Sequence, residues 1–486
     1  MVYKYLHVFN DLENMIQNGE IKEGKKLPSI RTLVTQYECN KATVIRALHE
    51  LEKRHIIYSV PQSGYYVVRK SGSAIENEEI IDFASSAPDP DVFPYLDFQH
   101  CINKAIDTYK NDLFVYGTPK GLPSLIPIIQ KQLANYQVFT KEENIFITSG
   151  VQQALAILTS IPFPNENETI LIEQPTYHLY IEYLEINKIP VIGIKRTNEG
   201  IDLNELERIF RTGKIKFFYT IPRYHHPLGT SYSKDEKEKI VLLAKKYNVF
   251  IVEDDYLADL ETDSKADPLY SLDQGNHVIY LKSYSKIIFP GLRVGVAVIP
   301  PVIANAFHTY KKILDIDSPM ISQAALEIYI KSGMFERHKN KIKSSYHDRS
   351  KKLAETIERM HNENQLLFTY TKQNTIGIHT CLELHKTSIS EMLLQRLGEM
   401  QISIDTIDKN YVRGFPKERL LKLNVSNVKE DRIEEGIRKV IEEIKQVERI
   451  TFQFKKEKMN KEVCCETQNN SLVSVYCYNN WSYNCD

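Results

Sequence analysis

At 486 residues, 42% apolar and 26% charged, the chain has the makeup of a globular protein and is too long for one core, with about three domains as the upper bound. No apolar run reaches the ~18–20 residues of a membrane span. Val294 to Ala306 is broken by Pro300-Pro301, and Met1 to Glu20 carries acids where a signal peptide needs an apolar core, so a cytoplasmic protein is expected. The net charge of −1 conceals an asymmetry: residues 1–70 hold 11 Lys+Arg against 7 Asp+Glu, leaving the remainder near −5. A basic head on a mildly acidic body suits a polyanion bound at one end.

Leu6, Phe9, Leu12 and Ile16 recur at helical spacing and predict a first amphipathic helix. Gly24 and Pro28 punctuate the chain, and Ser29 then caps a short helix from Ile30 to Tyr37 with Arg31 in its first turn. Glu38-Cys39-Asn40 makes a tight turn into a third helix, Lys41 to Arg54, which buries Val44, Ala47, Leu48 and Leu51 and leaves Lys41, Thr43 and Arg46 outward. Helix, short turn and helix is the arrangement in which the second helix offers its N-terminal side chains to base edges. Two β-rich runs, Ile56 to Tyr58 and Tyr65 to Val68, flank Pro61 to Gly64 and predict a hairpin, with Gly64 free to take positive φ.

This order resembles the GntR-type winged helix-turn-helix, through Leu27-Pro28-Ser29-Ile30-Arg31, Ala42 to Leu48 and Ser63 to Val67. The resemblance implies a DNA-binding domain over 1–70, with double-stranded operator DNA as partner and Arg31, Lys41, Thr43, Arg46 and Gly64 facing it. Arg46 would contribute about 1–3 kcal/mol of base discrimination if bidentate to guanine, and Lys41 would set phosphate affinity and its salt dependence.

The polar stretch Lys70 to Glu79 holds too few apolar side chains to fold, and residues 71–80 are expected as a linker. From 81 to 447, strands rich in Ile, Val and Phe alternate with helices, which argues an α/β domain with a mostly parallel sheet. Ligands in such sheets gather at the carboxyl ends of strands, and the reactive residue types fall there. Ser149-Gly150-Val151-Gln152 opens a helix after one strand, either a plain helix start or a turn whose N–H groups hold a phosphate. Tyr177 comes after a second strand, as a core tyrosine or a platform for a flat ring. His226 sits in Pro222 to Gly229 after a third, and Asp254-Asp255-Tyr256 after a fourth. The acid pair admits a metal site, a helix cap or a partner for a protonated pyridine nitrogen; no His/Cys partner stands at metal spacing. Ser283-Tyr284-Ser285-Lys286 and Arg293 lie on a turn between two strands, where Lys286 is either a solvated side chain or a desolvated amine able to form a Schiff base.

Together these positions resemble the fold type I aminotransferases across roughly 360 residues, and with the winged helix in front the chain resembles the MocR-type regulators of the GntR superfamily. The resemblance implies that Lys286 forms the internal aldimine with pyridoxal 5'-phosphate, Asp254 pairs the ring nitrogen, Tyr256 hydrogen-bonds the ring hydroxyl, and Tyr177 stacks on the ring. The backbone near Val151 and Gln152, with Ser283, Ser285 and Arg293, would hold the phosphate. Tyr116 would reach the partner subunit's cofactor in a homodimer.

Three residues depart from that family. Val151 replaces a hydroxyl residue, His226 replaces the Asn before Pro-x-Gly, and Lys422 stands where an arginine commonly clamps a substrate carboxylate, with Arg413 or Arg419 as alternatives. Lysine is a point charge without the bidentate fork. The reading is thus a DNA-binding transcription regulator that senses a small amine or amino acid through external aldimine formation, Lys422 facing the effector. The competing readings are a weak or specialised aminotransferase and a binding module without cofactor. Asp431 to Val447 predicts a last amphipathic helix, and 448–486 a polar tail expected to be disordered. Four of the seven cysteines (Cys464, Cys465, Cys477 and Cys485) fall in that tail, as reduced thiols or a Cys-metal site.

Overall fold

The computed structural model describes residues 4–22, 24–54, 56–60, 63–68, 80–86, 92–263, 266–273, 275–370, 377–385 and 391–453. The expected linker, apart from residue 80, and the Cys-rich stretch beyond 453 lie outside the described residues. Two compact units divide the chain, Met1–Glu79 and Ile80–Asp486.

The first unit consists of α1 (Lys4–Gln17), α2 (Ile30–Gln36), α3 (Lys41–Lys53), β1 (Ile57–Val60) and β2 (Gly64–Val67). Its core is the predicted apolar stripe: Phe9 and Leu12 of α1 pack with Leu33 of α2, with Val44, Ala47, Leu48 and Leu51 of α3, and with Ile57 and Val67 of the hairpin. Fully burying each larger aliphatic contributes about 1.5–3 kcal/mol. Both helix starts are capped as their sequences require. Ser29 Oγ accepts from Thr32 N at 3.1 Å, and Asn40 Oδ1 accepts from Thr43 N at 2.8 Å. β1 and β2 pair antiparallel from Ile57↔Val67 to Val60↔Gly64, and Gly64 takes a φ of 120° that a side chain would resist.

The second unit is built on an eight-stranded sheet. After β3 (Ile81–Asp82) come β4 (Ile145–Thr148), β5 (Thr169–Gln174), β6 (Val191–Thr197), β7 (Gly200–Ile201), β8 (Ile215–Thr220), β9 (Phe250–Asp254), β10 (Val278–Ser283) and β11 (Gly295–Val298). Their order across the sheet is β4-β11-β10-β9-β8-β5-β6-β7. Pairings along β10-β9-β8-β5-β6 are parallel, whereas β11 runs antiparallel to both neighbours and β7 runs antiparallel to β6. Every residue of β4, β8, β9, β10 and β11 is buried. That is why these strands read as unbroken apolar runs rather than alternating ones.

A smaller sheet, β12 (Phe368–Tyr370), β13 (His379–Leu384), β16 (Leu420–Asn424) and β15 (Asp405–Thr406) in spatial order, has its own core with β3 and β14 (Ile402–Ser403). It packs on the helix Met334–Glu363 and on a final helix. That final helix runs over residues 430–453, past the Val447 boundary expected from periodicity. Its last turn buries little, so no apolar stripe announces it, although Thr451 Oγ1 still donates to the Val447 carbonyl at 2.8 Å.

Replacing Asn40 with Ala removes the α3 cap and should destabilise that helix by about 1 kcal/mol. Faster hydrogen exchange of the α3 amides in the full-length protein is the expected readout, with the sheet amides of the second unit unchanged.

Candidate functional site

Five strand ends of the large sheet converge. At the end of β4, Gly150 (φ 85°) turns the chain into the helix Val151–Ser160. Arg293, in the left-handed region just before β11, lays its guanidinium against that turn, with Nη2 donating to the Ser149 carbonyl at 3.0 Å. A Cβ on Gly150 would fall 2.9 Å from Nη2, so only glycine admits the arginine. The helix start therefore presents free N–H groups at Val151 and Gln152 beside a guanidinium, with Ser283 and Ser285 on the neighbouring strand end; this is the composition of an anion cup. The Gln152 side chain is exposed. Ser283 Oγ accepts from Ser285 N at 3.2 Å.

Asp254 and Asp255 part company at the end of β9. Asp255 is engaged by Arg223 and by the Tyr280 hydroxyl at 2.7 Å. Asp254 is buried; its Oδ2 accepts from Tyr219 at 2.9 Å, and its Oδ1 has no partner. Burial first, and the Asp255 charge after it, push the Asp254 carboxyl up to about 7 against the lowering pull of Tyr219. The Tyr256 hydroxyl donates to the Tyr224 carbonyl at 2.9 Å. Tyr177 stands half-buried beside His226, its ring edge-on at 6.4 Å between centroids.

Lys286 Nζ donates to the Ser86 carbonyl at 2.6 Å. Burial lowers its pKa to about 8, and the nearby Lys422 charge adds to the effect. His226 and His379 lie 4.9 Å apart. Burial drives both imidazoles well below their ordinary range, and Lys422 and Lys286 reinforce this. His226 Nδ1 is buried without a partner. Lys422 is almost fully buried and reaches Asp405 at 3.4 Å, which Lys409 also approaches at 2.7 Å. Burial leads the lowering of its pKa as well. Arg413 and Arg419, the alternative clamps, are exposed.

Of the predicted residues, Lys286, Lys422 and His226 come within electrostatic reach of one another, as do Asp254, Tyr256 and Tyr177. Tyr116 stands apart, 81% exposed. Sequence reasoning missed Ser86, His379, Asp405 and Asn424, whose Nδ2 contacts His379 Nδ1 at 3.0 Å. No motif marks these residues; His379, Asp405 and Asn424 share only their position at ends of the small sheet's strands, and Ser86 lies in the loop after β3. Behind the site, Glu173 accepts from Thr220, Ile221 N and Tyr232 and faces His225 at 3.3 Å, anchoring the loop that carries His226.

In the first unit, Arg31, Lys41 and Gly64 line one groove of about 800 Å³ together with Lys26, Ser29 and Ser63. Lys26 escaped the sequence reading; its Cε sits 3.2 Å from where a Cβ on Gly64 would be. The Thr43 hydroxyl is spent on Asn40 Oδ1 at 2.8 Å. Arg46 is exposed and stacks its guanidinium over Tyr5 of α1 at 4.1 Å.

Residues 78–440 match the family Aminotransferase class I and II, and residues 4–67 match Bacterial regulatory proteins, gntR family. The chain belongs to the aminotransferase class I and II family. Carrying the gntR-family head in front, it is a transcriptional regulator of the MocR type with a fold type I aminotransferase-like domain. It is 56% identical over 436 residues to the HTH-type transcriptional regulator YcxD of Bacillus subtilis (strain 168), covering 90% of this chain and 98% of that one. Over 386 residues it is 24% identical to aromatic-amino-acid aminotransferase 1 of Thermococcus litoralis, covering 78% of this chain and 91% of that one. Among solved structures, the kynurenine aminotransferase of Pyrococcus horikoshii superposes with a TM-score of 0.68 at 27% identity, over 76% of this chain and 92% of that one. Among the described residues no helix is long and apolar enough to cross a membrane.

The buried imidazoles make stability acid-sensitive. Their folded pKa values lie below the ordinary 6.5, so the unfolded chain binds more protons as pH falls. Stability is then complete above about 6.5 and declines below it by up to about 1.4 kcal/mol per pH unit for each histidine. Unfolding free energies from urea titrations at pH 7.5 and 5 should differ less in His226→Asn than in the parent.

Proposed function

We propose that the protein is a cytoplasmic, homodimeric regulator that binds operator DNA through its first unit and pyridoxal 5'-phosphate through its second, and that it responds to a small amine or amino acid exchanging at Lys286. The observation that carries this reading is Asp254 Oδ1, buried without a donor at the end of β9. Asp254 would accept the N–H of a protonated pyridine nitrogen at that oxygen and hold its proton. The other residues fit the same group: Val151, Gln152, Ser283, Ser285 and Arg293 for the phosphate, Tyr177 for the ring face, and His226 and Tyr256 near the ring hydroxyl. When bound, pyridoxal phosphate supplies an aldehyde that condenses reversibly with amines.

Lys286 is suited to that exchange because its lowered pKa leaves a useful fraction neutral near physiological pH. Lys422 faces the incoming ligand's anionic group, with Asp405 offsetting part of its charge. Neutral His226 offers a ring nitrogen to accept or donate according to tautomer. A ligand that prefers one arrangement of the second unit shifts its population, and the connection between units passes the change to the DNA-binding heads. The alternative is a weak or specialised aminotransferase, favoured by the intact Lys286, Asp254 and Arg293. Against efficient turnover stands Lys422, which lacks the fork that orients a carboxylate.

Lys286→Ala should abolish the visible Schiff-base absorbance of the purified protein loaded with pyridoxal phosphate; retained absorbance removes the cofactor assignment. The rate of loading should rise with pH through about 8 rather than near 10.5, since only the neutral amine attacks. Fast half-transamination of ordinary amino acids in single-turnover assays would move the reading to the enzyme. On a duplex selected from a random library, Lys41→Ala should lower the slope of log affinity against log salt by about 1. Arg46→Ala should instead relax sequence preference, and unchanged selection by that variant removes its role.

A further inference from the structure

The turn at residues 315–318, between the helices Pro301–Leu314 and Met320–Lys331, grips two parts of the second unit at once. On one side Asp315 Oδ2 accepts from Ser149 Oγ at 3.1 Å and from Gln153 Nε2 at 2.9 Å. Gln153 Oε1 in turn accepts from Ser149 N at 2.9 Å. These are the residues that shape the turn into the anion cup. On the other side Asp317 Oδ2 accepts from Gly117 N at 2.5 Å.

The segment from Tyr116 to Leu122 is fitted closely to this neighbourhood. A Cβ on Gly117 would lie 2.9 Å from the Asp317 oxygen and 2.9 Å from Met320 Sδ. Gln323 joins the same frame, its Oε1 accepting from Leu122 N at 2.7 Å and its Nε2 donating to the Ser318 carbonyl at 2.8 Å. Ser318 Oγ donates to the Ile147 carbonyl of β4 at 3.3 Å, so the turn is also pinned to the strand that ends at the cup. Two carboxylates within three residues would repel one another. Lys311, fully buried and donating to Ser318 Oγ at 3.1 Å, supplies the cation that both of them interact with. The frame holds the backbone of Gly117 while Phe114, Val115 and Tyr116 remain 68%, 61% and 81% exposed. A rigidly held segment whose side chains contact little of their own chain is shaped to meet another one.

We infer that residues 315–318 form a strut with two positioning residues, Asp315 fixing the anion cup of its own subunit and Asp317 aiming Tyr116 at the cup of a second copy of this chain. The inference rests on the cofactor and homodimer readings above and on the expectation, implied by the family resemblance, that Tyr116 reaches the partner subunit's cofactor. It adds to them a physical connection between two cups: Asp315 at the cup of its own subunit and, two residues on, Asp317 behind the segment that serves the other.

Mixed dimers separate the two arms, with pyridoxal phosphate as the probe and visible absorbance at Lys286 as the readout of affinity. In the first pairing, Asp317→Ala sits on the chain that keeps Lys286, and its partner carries Lys286→Ala alone. The loaded site is then served by an intact strut, and affinity should equal that of a dimer carrying only Lys286→Ala on one chain. In the second pairing, Asp317→Ala and Lys286→Ala share a chain, and the intact partner's site should bind about ten- to a hundredfold more weakly, the loss expected for a hydrogen bond to a charged group. Asp317→Asn, which keeps an acceptor, should recover most of that loss. Asp315→Ala should show the reverse pattern, weakening the site on its own chain. Equal affinity in both Asp317→Ala pairings overturns the inference. A parent protein that shows no absorbance at all overturns the cofactor reading instead, and one that runs as a monomer overturns the homodimer.

Discussion

Asp254 ends its strand with one oxygen on the Tyr219 hydroxyl and the other facing no donor, a condition that costs about 1–3 kcal/mol in a buried group. The sheet can hold it there because β9 lies between β8 and β10, with every residue of all three strands buried, so the carboxylate cannot swing out to water. The same burial acts on its neighbours. It drives Lys286, His226, His379 and Lys422 away from their charged forms and Asp254 toward its neutral one. Any charge that enters a site assembled this way is felt at low dielectric.

The contrast with other buried acids of the unit sets Asp254 apart. Other acids buried under the sheet are spent in several directions. Asp255 holds Arg223 and Tyr280, Asp259 holds Lys282 and Tyr136, and Glu173 gathers Thr220, Ile221 N, Tyr232 and His225. For Glu173, burial pulls upward, yet His225 and Arg196 hold the carboxyl down to about 2. Those carboxylates are scaffold: both oxygens of each are engaged inside the protein. Asp254 Oδ1 and His226 Nδ1 keep theirs. Unspent polar capacity beside a buried lysine at converging strand ends is where a ligand's polar groups would find partners.

The winged helix was legible almost to the residue, because its caps (Ser29, Asn40) and its apolar stripe are local signals with one solution. The strand ends of the large sheet were legible for a related reason: buried parallel strands announce themselves as apolar runs, and the site's residues sit at their carboxyl ends. Spacing alone did not separate Asp254 from Asp255, and only the family resemblance chose between them, since adjacent residues on a strand point to opposite faces and nothing local says which face Arg223 occupies. Ser86, His379, Asp405 and the 315–318 strut were illegible because their contacts join segments 17 to 200 residues apart. The last turns of the final helix were missed since a helix that buries nothing there leaves no period to read.

The lysine at 422 bears on what kind of work the site is fitted for. A bidentate guanidinium fixes both the position and the plane of a carboxylate, and orientation is worth most when a reaction must pass through one geometry. An ammonium gives attraction without a plane, and here part of that attraction is already engaged by Asp405, itself shared with Lys409. Loss of orientation costs turnover more than it costs occupancy, because only interactions stronger in the transition state than in the ground state accelerate a reaction. A regulator needs the opposite balance. Its ligand must bind reversibly, prefer one arrangement of the protein, and leave unchanged, and the size of its effect on DNA binding equals the effect of DNA on its own affinity. On the function proposed above, a buried lysine for exchange beside a weakly orienting lysine for recognition meets those requirements better than it meets those of a transaminase.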